Sequence, residues 1–397
     1  MLEDAHKQDA SGEGPTVAGT RFQVYAQSPL LSAYSKPETI WISTPPSQIQ
    51  PGPADHRAYV TDPLLGKTPY EFPFMPPYEG ETHPPAIAGP DGHFDTLPID
   101  SRQFIGAHAF ACVSRVLDIW ESYLGHQIQW HFADTYPRLE IIPNLDWDNA
   151  QSGYGYIELG MDSDADGRVY PYALNFDVIA HEVGHSILFS ECGFPQANNT
   201  GQDFVSIHEA MGDLISLFSF LHFDSGIDRL LKHCGGNLLV LNELNRIAEL
   251  TGDRQIRLAC NSRKLSEVTS DVHDQSRPLT GALFDTLVNT YHRALVSRGL
   301  ADERLANMDI RDADANLLAR VSDFTIRNFR AQPLLFKSAL IEARDDTAMV
   351  LSRSWSRMTA DEFNFRSYSE ILLSTAGQNA PHLLRDIEEN LDWRELI

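Results

Sequence analysis

Positive charge is scarce in this sequence. Lys and Arg number 31 against 55 Asp and Glu, so the 397-residue chain carries a formal charge of −24 and has an isoelectric point near 4.9. A field of that sign repels nucleic acid and anionic membranes and argues against both as partners; the plain reading of the acidity is solubility. Cysteine is equally sparse. Cys112, Cys192, Cys234 and Cys260 are widely spaced and form no Cys-x-x-Cys pair. That argues against a disulfide scaffold and against an all-cysteine zinc site, with one or two bridges left open. No apolar run approaches the ~20 residues a membrane-spanning helix needs. The opening MLEDAHKQDASGEGPTVAGT has neither a basic nor an apolar region of the kind that starts a secretory signal. The expectation is a cytoplasmic or non-classically exported protein, or one whose leader has been removed.

What is present divides into three stretches. Residues 1–20 are polar and aperiodic, and residues 21–100 are rich in proline, which forbids long helices. Their aromatic content suits an ordered, β-rich extension with short strands at TIWIST and RAYVTD, and a short pro-segment capping a cleft is the alternative. Residues 101–190 read as an α/β part. A helix starts at Ser101 and stops at Gly125, with His108 on its apolar face, and strands follow at QIQWHF, RLEIIPN and YGYIELGM. Residues 191–397 read as largely helical, with helices near 203–223, 227–233, 239–250, 278–298, 313–329, 333–352, 366–376 and 382–390. No internal repeat is evident.

The chemistry concentrates in NFDVIAHEVGHSILFSECG. On a helix, residues four apart share a face, so His181 and His185 can offer two imidazole nitrogens to one ion. Zinc accepts such a pair at about 2.0–2.1 Å, with a third protein ligand and an open position for water. Glu182 then stands beside the metal, placed to take a proton from the attacking water. The bland alternative is a helix carrying two satisfied histidines. The apolar neighbours Val178, Ile179, Ala180, Val183 and Ile187 weigh against it, because burying these polar groups without partners costs several kcal/mol. FVSIHEAMGDLISLF supplies the rest: Glu209 as third ligand and, one turn on, Asp213 to hold the free N–H of a ligand histidine, His181 above all.

These motifs together resemble the thermolysin family of gluzincin metallopeptidases. The matching positions are Asn149 and Ala150, Tyr156 more loosely, Asp177 and Val178, His181, Glu182 and His185, then Glu209 and Asp213, within a stretch from about 101 to 298. The resemblance implies an α+β, two-lobed zincin: a β-rich N-terminal lobe, a central HExxH helix and a mainly α-helical C-terminal lobe. It implies one zinc per chain and a polypeptide substrate bound along an edge strand by Asn149 and Ala150. Val178 would wall the pocket for an apolar residue after the scissile bond. A downstream histidine would steady the oxyanion; His273, just before a helix, fits, with Asp271 or Asp274 to orient it.

The sequence also departs from the family. Twenty-three residues separate His185 from Glu209, and that interval contains no tyrosine; His208 stands where an asparagine is common. The acidic calcium cluster after the third ligand is replaced by FSFLHFD, so Asp177 loses those partners and calcium binding is not expected there. DSDADG, with Asp162, Asp164, Asp166 and Gly167, starts like a calcium loop but has Ala173 at its twelfth position, so a hairpin turn is the better reading, with a weak calcium site as the alternative. Cys192 reads as a small buried hydrophobe in preference to a latency switch. The function expected is zinc-dependent endopeptidase, with inhibition by the chain's own first 100 residues or by a separate protein left open. The alternatives are a latent or non-proteolytic zinc-containing regulator on the same fold, and an aminopeptidase. A regulator would be marked by loss of Glu182 or His273, and an aminopeptidase by a Gly-x-Met-Glu-Asn motif; the sequence shows neither mark.

Overall fold

The structure is a computed structural model. It describes residues 19–163, 169–195, 201–240, 242, 244, 246–251, 254–306, 308, 315–359 and 364–397. The fold is α+β, with small sheets early in the chain and helices dominating after Asn175. A first hairpin pairs β1 (Thr20–Val24) with β2 (Glu38–Ile42). The main sheet has the order β3 (Ala58–Val60), β4 (Leu139–Ile142), β6 (Tyr156–Leu159), β5 (Ala150–Gly153). β3 and β6 run parallel to β4, and β5 runs antiparallel to β6, so β5 is an edge strand. A short ribbon of β7 (Met161–Ser163) and β8 (Val169–Pro171) follows. Asp164, Asp166 and Gly167 lie outside the described residues.

Helix α1 (Arg102–Leu124) begins where the Ser101 side chain accepts a hydrogen bond from the Phe104 N–H and ends at Gly125 in the left-handed region. Then come α2 (Phe176–Cys192), α3 (Gln202–Phe220) and α4 (Asp224–Cys234). After them lie α5 (Val272–Ser297), α6 (Glu303–Ala306), α7 (Ala315–Ala331), α8 (Pro333–Trp355), α9 (Phe365–Asn379) and α10 (Leu384–Trp393). Helix α2 packs against α1 on one side, α3 on another, and β5 along the edge of the sheet.

Three expectations are corrected. The stretch 127–132 is not a strand; Trp130 and Phe132 stack with ring centroids 5.2 Å apart, and the Trp130 indole donates to the Arg57 carbonyl, so side chains anchor this segment without a ladder. The helix expected over 239–250 is replaced by a hairpin of β9 (Arg246–Thr251) and β10 (Arg254–Leu258). Its two short alternating runs flank Gly252-Asp253 in the sequence, a hairpin signal that outweighs helical periodicity. The helix expected from 278 begins at Val272, so His273 lies inside its first turn and Pro278 is accommodated inside the helix.

One connected core runs through all three sequence stretches. It includes Phe22, Val24 and Ile42 from the first hairpin, Phe110 and Trp120 from α1, Ile179 and Val183 from α2, and Leu391 and Leu396 near the other end. Arg394 is buried beside α5. It donates to Asp285 at 2.6 Å, to the Asn261 side chain and carbonyl, and to the Arg263 carbonyl.

Candidate metal centre

Helix α2 starts at Asn175, whose side chain accepts from the N–H groups of Asp177 and Val178. That cap sets the register of His181 and His185 one turn apart on the cleft face. Their Nε2 atoms lie 3.1 Å from each other. Helix α3 crosses α2 where Gly184 meets Gly212; a Cβ on Gly184 would be 3.2 Å from the Gly212 Cα. This close approach brings in Glu209, with Oε2 3.4 Å from His181 Nε2 and Oε1 3.7 Å from His185 Nε2.

These separations can be compared with a metal's needs. Three ligands at about 2.0–2.1 Å in a tetrahedral zinc site lie about 3.3 Å from one another. His181, His185 and Glu209 each offer one donor atom within 4.8 Å of the other two, and no other such group occurs among the described residues. Two imidazoles and one carboxylate, with space left open in a cleft, are a donor set suited to zinc. Asp213 completes the arrangement: its Oδ1 lies 3.1 Å from His181 Nδ1. A carboxylate there holds the proton on Nδ1 and leaves the Nε2 lone pair directed at the cluster.

Burial pulls the Glu209 carboxyl upward, but the three imidazoles around it, His181, His273 and His185, outweigh it and hold the group far below the usual carboxylate range. His273 brings its Nε2 to 3.2 Å from Glu209 Oε2 while its ring remains half exposed. Asp271 caps α5, accepting from the N–H groups of His273 and Asp274, and its Oδ1 lies 3.7 Å from His273 Nδ1. Asp274 turns instead to Thr269 and Arg277. Of the two carboxylates considered for orienting His273, Asp271 is thus the one at the ring.

The cluster opens into a cleft of about 300 Å³. Asn149, Ala150 and Val178 line it with Glu182 and His273, so the residues singled out in the sequence are brought together. Gln151, Ser152 and Tyr172 line it too and were missed. The first two follow directly from the Asn-Ala pair along β5; Tyr172 carries no local signal. His208 is elsewhere. Its ring lies 4.3 Å from Phe189 and 4.4 Å from Phe204, buried behind His185, and burial pushes its pKa well below the ordinary imidazole value. Cys192 is also off the cleft, its thiol 3.5 Å from the Trp355 carbonyl and pushed up by burial. Asp177 accepts from the Gln27 amide at 2.8 Å, so the proline-rich N-terminal stretch supplies a partner to the metal helix.

No family model and no curated protein matches this sequence. Among solved structures, 25 chains match. One is the precursor of protealysin, a metalloproteinase from Serratia proteamaculans. Its identity to this chain is 11% and the TM-score is 0.45, with 88% of this chain and 90% of that chain covered. A likeness at that distance carries no weight for activity, so the case for this site is made by its own residues.

Proposed function

We propose that this chain is a zinc-dependent endopeptidase on a divergent, two-lobed, thermolysin-like fold. His181, His185 and Glu209 are the residues that would hold the ion, with Asp213 fixing the His181 tautomer. When bound, zinc supplies a Lewis acid for the scissile carbonyl and lowers the pKa of water. Glu182 takes the proton of the attacking water and later delivers it to the leaving amine nitrogen. His273, positioned by Asp271, donates Nε2–H to the carbonyl oxygen as negative charge grows there. The extended substrate lies along β5 beside Asn149 and Ala150 as an added strand. Val178 offers an apolar wall to the residue after the scissile bond.

The observation that carries this reading is convergence. The three-donor cluster, the adjacent glutamate and an independent histidine from α5 all face one cleft bordered by an edge strand. The test is zinc stoichiometry together with cleavage of unfolded casein, for the parent chain and Glu182→Gln. One zinc per chain in both, with cleavage by the parent alone, is the expected result. Zinc in both with cleavage in neither would favour a latent enzyme or a zinc-containing binding protein, and cleavage by Glu182→Gln at the parent rate would remove Glu182 from its role.

A further inference from the structure

Beside the cleft, residues 67–78 form a strap with an unusual division of labour. Its two ends are clamped. Glu158 of β6, fully buried, accepts from the Tyr70 N–H at 2.8 Å and from the Gln151 amide at 2.6 Å, and pairs with Lys67. Glu140 of β4, also buried, accepts from the Tyr70 hydroxyl at 2.7 Å and from the Tyr78 N–H at 3.1 Å. Between these clamps the chain turns tightly, with Glu71 bridged to Phe74. The tip is Phe72-Pro73-Phe74, and the two phenylalanine residues are 86% and 79% exposed.

Two large apolar side chains lifted into solvent on a clamped base are an interaction surface. Its place in the fold says what it meets. The Gln151 amide also donates to the Tyr70 carbonyl at 3.3 Å, and Gln151 lines the cleft. Phe72 is two residues from Tyr70, so its Cα lies within about 7 Å of the Tyr70 Cα. Ser152 of β5 points to α2, where its hydroxyl meets that of Ser186, so Gln151 and the strap it holds lie on the opposite face of the edge strand, toward which alternate side chains of a strand added along β5 would project. We infer that Phe72 and Phe74 form an outlying subsite that grips apolar side chains of an unfolded polypeptide threaded along β5. This rests on the peptidase reading of the cleft. Pro73, Pro76 and Pro77 stiffen the loop, which reduces the entropy lost on binding. A neutral membrane surface is the other apolar partner for such a tip. The strap's contact with β5 through Gln151 favours the polypeptide.

The test is binding, measured in the full chain carrying Glu182→Gln so that nothing is consumed. The probes are fluorescently labelled unfolded casein and a blocked tetrapeptide too short to reach the strap. Phe72→Ser with Phe74→Ser should weaken casein binding about tenfold and leave the tetrapeptide unchanged, while Leu334→Ser, an exposed apolar residue on α8, changes neither. Casein affinity that does not fall, an equal loss for both probes, or no casein binding by the Glu182→Gln chain would overturn the inference. Unchanged casein binding with lost adhesion to phosphatidylcholine vesicles would assign the tip to membranes instead. If the parent cleaves nothing yet the double variant still loses casein, the peptidase reading fails and the subsite stands.

Discussion

Gly212 of α3 lies against the imidazole of His181 so closely that a Cβ at position 212 would sit 2.6 Å from both Cε1 and Nδ1 of the ring. The hydrogen side chain of Gly212 is what lets His181 lie flat on the neighbouring helix. Glu209, about one turn before it on that helix, and Asp213, the next residue, address the two nitrogens of the same ring. The metal cluster is thus a product of helix packing as much as of ligand identity.

Gly212→Ala should therefore displace His181 without touching any ligand. Overpacking of this kind costs about 1–3 kcal/mol, and a displaced ligand should lower zinc affinity about 10–100-fold by analogy with disturbed supporting contacts. Thermal melts of the metal-free chain and competition with a chelator measure the two effects separately. Unchanged affinity would mean that α2 and α3 adjust freely.

Asp213→Asn keeps the shape and removes the charge that holds the proton on His181 Nδ1. Zinc affinity should fall about 10–100-fold, with the stoichiometry at saturation still one per chain. A zinc titration that superimposes on the parent's would show that Asp213 does not support His181.

His273→Ala should spare zinc binding and slow turnover. Loss of one oxyanion donor typically lowers kcat about 10²–10³-fold, so the effect should fall on kcat for a short peptide with KM little changed. An effect confined to KM would place His273 in substrate binding.

Acid should weaken the fold through histidines that do not line the cleft. Burial lowers His108 to about 4 and His292 to about 3 from an ordinary 6.5. Each ring also uses Nε2 to accept a backbone N–H, from Tyr25 and Leu238 respectively, which a proton there would abolish. The unfolded chain binds more protons between the folded and unfolded values, so stability rises with pH. Their contribution is complete above about 6.5 and is lost as pH falls through 4 and then 3, up to roughly 3–5 kcal/mol each. Urea midpoints at pH 7.5, 5.5 and 4.5 should show a steeper decline for the parent than for His292→Gln, with chelator present throughout.

Gln27→Ala should destabilise the metal helix from a distance. It strips the buried Asp177 of a hydrogen bond at 2.8 Å, at a cost of about 1–3 kcal/mol. Deleting residues 1–50 should do more, exposing core positions that Phe22, Val24 and Ile42 now cover, and should yield an unfolded product. Hydrogen exchange along α2 checks both. A well-folded truncation product would instead favour a detachable segment.

The side chains proposed as metal ligands were legible as a cluster because they obey a local rule: helical spacing puts His181 above His185 and Glu209 above Asp213, and both runs are apolar enough to be core helices. What escaped is tertiary. Tyr172 reaches the cleft from a turn ahead of α2, and Gln27 meets Asp177 across 150 residues of chain. The alternation in QIQWHF suggested a strand, yet Trp130 and Phe132 are held by stacking and by an indole hydrogen bond to Arg57. The segment 239–250 failed for the opposite reason: a helical period was read into a region whose later residues pair across a hairpin.

The burial of Arg394 against Asp285 bears on how the helical part is held together. These two residues are separated by 109 positions. The same guanidinium donates to the carbonyls of Asn261 and Arg263. Removing it would leave a carboxylate on the buried face of α5 without this cation and two carbonyls without this donor, a loss that costs far more than that of an exposed ion pair. One side chain thus rivets three stretches of chain to each other.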